Sequence, residues 1–89
     1  MQVAEPVVVR AGPLTDEPPS GTGVLSESAL AYGPISRAEL ARLMVGCVTS
    51  PRAAGRTLHA LDAAEVLVPG PSMRPLEPWE APPFEPFAL

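Results

Sequence analysis

Residues 35–62 read ISRAELARLMVGCVTSPRAAGRTLHALD, and the reading of this stretch decides the fold class. Ser36 and Glu39 stand three residues apart, the spacing of a capping box. In that motif the Ser hydroxyl accepts from the Glu amide and the Glu carboxylate reaches back to the Ser amide. Apolar residues then recur at Leu40, Leu43, Met44, Cys47 and Val48, which is one face of an α-helix, while Arg37, Arg42 and Thr49 lie off it. Pro51 stops the helix near Thr49 or Ser50, because the residue before a proline is driven out of the α region. Residues 50–56, SPRAAGR, read as a brief turn or one helical turn. Thr57 to Leu61 then alternates as a strand, with Thr57, His59 and Leu61 on one side and Leu58 and Ala60 on the other.

Upstream, Val7 to Arg10 reads as a short strand ended by Gly12-Pro13. Its three consecutive β-branched residues predict burial on both faces, as in a parallel sheet. Residues 15–23 are rich in Pro, Gly, Ser and Thr and read as loop; Val24 to Ser28 suits a second short strand, and Tyr32-Gly33-Pro34 a turn. Strand, loop, helix, strand is the order of a parallel crossover unit, so the chain is expected to be α/β. Two or three strands and one helix would cover Val7 to Val9 poorly on at least one face and leave both sheet edges open. That deficit points to a partner chain or a second copy completing the sheet.

From Pro69 the composition changes. Seven of the thirteen prolines fall in residues 69–89, which rules out regular helix or a central strand. The expected division is a body over 1–68 and a proline-rich tail over 69–89, extended or disordered, with Trp79, Phe84, Phe87 and Leu89 as spaced apolar anchors. The tail holds two PxxP strings, PLEP at 75–78 and PFEP at 83–86. An alternative function follows from them: a small interaction protein that offers its tail to a partner's aromatic groove. Neither string has a flanking Arg or Lys in an obvious register, and a tail that folds back on its own body or stays disordered is favoured.

The chemistry available is narrow. All six basic residues are Arg, scattered, and the net charge is −4, which argues against nucleic acid as a partner. One Cys and one His exclude an internal disulfide and a structural zinc site, so no metal is expected. Cys47 reads as a small core hydrophobe and His59 as a strand residue bonding locally. GTGVLS at 21–26 lacks the third glycine of a dinucleotide fingerprint and precedes no helix. With no Lys, a Tyr-Lys dehydrogenase pair is impossible, and no Ser sits in a nucleophile elbow. No catalytic residue is assigned. The N-terminus lacks a signal peptide's basic and apolar regions, and no apolar run approaches a membrane span, so a cytoplasmic, soluble chain is expected.

The runs VVVRAGPLTDEPPSGTG (7–23) and GPISRAELARLMVGCVTSPRAAGRTLHALD (33–62) resemble the C-terminal part of atypical short-chain dehydrogenase/reductase proteins. The nearest groups are the NmrA-like NAD(P)H-binding family and the flavin/biliverdin reductase branch. There, a late strand ends in an Arg-Pro-Gly-like turn followed by an LTD-x-P-x-x-G string, then an ISR-x-acidic block opening a helix, then a Gly-Arg-Thr step into a last strand. The likeness covers about residues 3–62. It implies a partial Rossmann-like unit of an NAD(P)H-binding oxidoreductase, truncated or split, whose glycine-rich cofactor loop would precede Val3. It further implies that Arg10, Ala11, Gly12, Pro13 and Leu14 line the nicotinamide side of a cofactor pocket, with Thr15 and Asp16 shaping the loop. Ala11 replaces the family's usual proline. Hydride transfer by the 89 residues alone is not expected.

Overall fold

The computed structural model describes residues 6–89; residues 1–5, which belong to the expected body, lie outside the described residues. The chain is mixed α/β. In order it forms β1 (Val8–Ala11), β2 (Leu14–Thr15), β3 (Gly23–Ser26), β4 (Ile35–Ser36), α1 (Arg37–Thr49), a 3-10 turn (Pro51–Ala53), β5 (Thr57–Asp62), β6 (Leu67–Val68) and β7 (Arg74–Pro75). The main sheet has the order β1-β5-β3, with β1 parallel to β5 and β3 antiparallel to it. β2 pairs parallel with β4, and β6 antiparallel with β7.

The crossover from β1 through α1 to a parallel β5 is the unit expected from the sequence, with β3 added antiparallel on the far side. The two-faced burial expected of Val7 to Val9 belongs instead to β5, the central strand. Leu58, Ala60, Leu61 and Asp62 are all buried, whereas Val8 on the edge strand β1 is 44% exposed. Three β-branched residues in a row favour a strand but do not say how many neighbours it has.

β5 separates two apolar clusters. Leu58 and Ala60 face Leu25, Ile35, Leu43, Cys47 and Ala53, with Val7, Val9 and Phe87 at the margin. Leu61 faces Ala31 and Val66, with Val24, Leu76 and Phe84 beside them. The side-chain period of two along a strand sends successive residues of β5 to opposite clusters, as its alternation predicted.

α1 begins at Ser36, whose hydroxyl accepts from the Glu39 amide at 3.0 Å. It ends before Pro51, with Ser50 extended (φ −100°, ψ 120°), as the proline requires. Of the face expected from Leu40, Leu43, Met44, Cys47 and Val48, Leu43 and Cys47 are buried, in one row with Glu39, and Leu40 packs half-buried against the same cluster. Met44 and Val45 are exposed, and Val48 is 81% exposed. The helix is rotated so that the Glu39 row, and with it a carboxylate, meets the sheet.

The turn expected at Tyr32 to Pro34 is an open segment instead. Tyr32 O accepts from Leu67 N and Pro34 O from Asp62 N, so the segment runs between β6 and β5. Gly33 serves close approach here, since a Cβ on it would lie 2.6 Å from Glu65 O.

The tail folds back on the body. Leu76 N donates to Val66 O (2.9 Å) and Phe87 N to Leu25 O (2.7 Å). This second bond lies on the outer edge of β3, so that edge is not left open as expected. The guanidinium carbons of Arg52 and Arg56 lie 5.8 and 5.2 Å from the Phe87 ring centre, and Arg52 Nε donates to Ala88 O at 2.9 Å. Arg74 and Glu80 pair through both carboxylate oxygens and pin the turn that carries Trp79, which is 81% exposed.

Candidate functional site

In sheets with parallel strands, ligands sit beyond the carboxyl ends of those strands. Here that place holds a cavity of about 320 Å³ lined by Thr15, Glu17, Pro18, Ser20, Ser36, Asp62 and Glu65. Thr15 ends β2, Ser36 ends β4 and caps α1, and Asp62 ends β5.

Two buried carboxylates organise its walls. Glu39, fully buried, accepts from Gly21 N (3.2 Å) and Gly23 N (2.8 Å), so it ties the 15–23 loop to α1. The expected return of Glu39 to the Ser36 amide does not occur, because its carboxylate is taken by the two glycines. Arg42 donates to the same carboxylate through Nε (3.1 Å) and its terminal nitrogen. Hydrogen bonding from Arg42 dominates, burial opposes it, and the two glycine amides add to it; together they hold the Glu39 carboxyl at about 2, against an ordinary 4.5. Gly23 has no alternative residue at this contact, since a Cβ would sit 2.6 Å from Glu39 Cγ and 2.7 Å from Oε2.

Asp62 accepts from Thr22 Oγ1 (2.6 Å) and from Ala64 N (2.9 Å), the latter an Asx turn. Burial pushes its carboxyl up, but the hydroxyls of Thr22 and Ser20 and the Ala64 amide outweigh that and leave it below the ordinary aspartate range. The cavity is therefore acidic, with Glu17, Asp62 and Glu65 on its wall and no basic residue among its lining. At the N-terminus of α1, which otherwise attracts anions, the Glu39 amide is already taken by Ser36 Oγ.

None of the five residues expected to line a nicotinamide pocket is among the residues lining this cavity. Arg10 and Ala11 are exposed in β1. A Cβ on Gly12 would lie 2.6 Å from Gly33 O, Pro13 O accepts from Ile35 N (3.0 Å), and Leu14 pairs with Ile35 while staying 42% exposed. Residues 12–14 are thus clamped to Gly33–Ile35. Thr15, expected only to shape the loop, lines the cavity; Asp16 meets Arg37 at 3.5 Å on the surface. His59 sits in β5 opposite Arg10 and Ser26, with no carboxylate or nucleophile hydrogen-bonded to it among the described residues.

Glu39 and Asp62 were not singled out as site residues by the sequence. Two signals could have found them: the GTG pair of glycines upstream of an acidic capping residue, and Asp-Ala-Ala-Glu at 62–65 as an Asx turn ending a strand. A second, larger cavity of about 570 Å³ lies under the tail, where Arg52 and Arg56 meet Glu27, Phe84 and Phe87. Arg56 is committed to Glu27 at 3.0 Å to each oxygen. No group of three or more His, Cys, Asp or Glu is placed to hold a metal among the described residues, and no helix there is long and apolar enough to cross a membrane.

Comparison with known proteins finds no family model, no curated protein and no solved structure that matches this chain.

Proposed function

We propose that these 89 residues are a strand–helix–strand unit of an NAD(P)H-binding, oxidoreductase-like sheet of the atypical short-chain dehydrogenase/reductase kind, completed by further strands added at β1. The observation that carries this reading is β1 itself: a strand parallel to β5, joined to it through α1, with no strand on its outer side among the described residues and the Gly12–Leu14 turn packed beyond its carboxyl end. In such a sheet Arg10, Ala11, Gly12, Pro13 and Leu14 would meet the nicotinamide only once the neighbouring strands were in place. The chain by itself transfers no hydride, since it holds no glycine-rich phosphate loop and the cavity at the strand ends is acidic, which repels a pyrophosphate.

Isothermal titration of the isolated chain with NADPH tests this. No heat of binding is expected up to millimolar cofactor; micromolar affinity would overturn the reading. The alternative, partner binding through the tail, requires PLEP and PFEP to leave their berths, since Leu76, Phe84 and Phe87 pack against the body.

A further inference from the structure

We infer that the groove holding residues 85–89 is a peptide-binding site, closed by the chain's own tail. Its other occupant is a segment of another chain with the same pattern, a Phe followed two residues on by an aliphatic side chain. The site lies at β3, on the far side of β5 from β1, and is independent of strands added at β1.

The tail end is gripped as a ligand would be, by groups from β3, α1 and the segment that joins α1 to β5. Phe87 N donates to Leu25 O on β3. The Phe87 ring packs on the cluster that holds Leu25 and Leu43, with the guanidinium groups of Arg52 and Arg56 beside it. Arg52 Nε donates to Ala88 O, which fixes the backbone one residue on. Leu89 reaches α1 at Gly46, where a Cβ would come to 2.8 Å from Leu89 Cδ1. A glycine inside a helix weakens it, and this one gives Leu89 its seat.

The tail uses only part of what the groove offers. Val8 N donates to Arg56 O, so the alternation of a parallel ladder turns the backbone groups of Leu58 and Ala60 toward β1. Leu25 is the antiparallel partner of Ala60, so it turns both its N–H and its C=O outward. The tail takes the C=O, and no tail carbonyl accepts from Leu25 N among the described residues. A strand added to a sheet edge uses both groups. A cavity of about 570 Å³ also remains between the tail and Ser26, Glu27, Arg52 and Arg56. A peptide that pairs with both groups of Leu25 and enters this space gains contacts that the tail does not make.

The end can leave while the rest of the tail stays. The preceding part has its own anchors: β7 pairs with β6, Leu76 N donates to Val66 O, and Phe84 packs on the cluster that holds Leu61. Glu85 and Pro86, both exposed, join the two parts.

The test is fluorescence anisotropy of a labelled pentapeptide EPFAL, the sequence of residues 85–89, titrated with full-length chain to roughly 1 mM. In the parent the tail competes at an effective concentration in the millimolar range. Phe87→Ala removes the competitor's ring and is expected to raise the affinity for the peptide at least ~10-fold. Leu89→Asp, at a side chain 41% exposed, loosens the tail with less effect on the body and is expected to raise it about 5-fold. Far-UV circular dichroism checks that each variant is folded, and Leu89→Asp carries the test where Phe87→Ala does not fold. The same peptide with Ala in place of its Phe should bind neither variant. Equal affinity for parent and folded variant overturns the inference. So does a folded variant that binds no EPFAL, or one that binds the Ala peptide as tightly.

Discussion

Replacing Glu39 with Gln tests the claim that one buried carboxylate ties the 15–23 loop to the helix. Gln keeps the shape but not the charge. Its single carbonyl oxygen serves one of the two amides, Gly21 N or Gly23 N, and its NH2 faces the other. A hydrogen bond to a charged acceptor contributes about 1.5–3 kcal/mol against about 0.5–1.5 for a neutral one, and a buried donor left unpaired costs about 1–3 kcal/mol. The Arg42 partner is half-exposed, so solvent screens its share and the two glycine amides carry the effect. The sum is about 3 kcal/mol, a large part of the ~5–15 kcal/mol that holds a domain together. For a chain of this length it lowers Tm by roughly 15 °C.

Urea unfolding followed by circular dichroism, repeated across pH, is the assay. The folded carboxyl sits at about 2 and the ordinary one at 4.5, so its pKa is depressed by folding. Its contribution is complete above 4.5 and is lost as pH falls from 4.5 toward about 2. The gap between parent and Glu39→Gln should therefore be widest at neutral pH and narrow on acidification through that window. Taking the difference between the two proteins removes Asp62 and Glu80, whose carboxyls are also lowered. Parallel curves, or a neutral gap under about 0.5 kcal/mol, would refute the reasoning. Gly23→Ala disrupts the same contact from the other side, and the double variant should lose much less than the sum of the two.

Phe87→Ala should cost about 2 kcal/mol, half the full-burial value because the ring is half-buried, and should speed proteolysis within 69–89; an unchanged cleavage rate would show that the tail is held by other contacts. Met73 has φ 36°, in the left-handed region that costs an L-residue about 1–2 kcal/mol, so Met73→Gly should gain about 0.5 kcal/mol after the extra chain entropy of glycine is subtracted. A lower urea midpoint for Met73→Gly would mean that the Met73 side chain contributes more by packing than its backbone loses.

The elements dictated by local chemistry were readable in the sequence. Ser36 caps α1, Pro51 stops it, and the alternation of Thr57 to Leu61 sorts β5 into two faces, all through interactions that span four residues or fewer. What escaped depends on residues far apart in sequence. Glu39 looks like the second half of a capping box until Gly21 and Gly23, sixteen or more positions away, compete for its carboxylate. That competition turns the helix and leaves Met44 and Val48 outside, although their spacing matches a buried stripe. Val7 to Val9 and Leu58 to Leu61 look equally buried as strings, and only the sheet order makes the second central. The acidic cavity is formed by Thr15, Ser36 and Asp62 at the ends of three short strands, a juxtaposition that no single motif announces.

The pinned turn at Trp79 decides what light can report about this molecule. Trp79 is the chain's one tryptophan, and it is bathed in water while the fold is intact. Its emission is already that of a hydrated indole, so melting of the β5 core would pass almost unseen in a fluorescence trace. The same indole is a clean optical gauge of the Arg74–Glu80 clasp: its anisotropy should drop when that pair is broken, long before the sheet gives way.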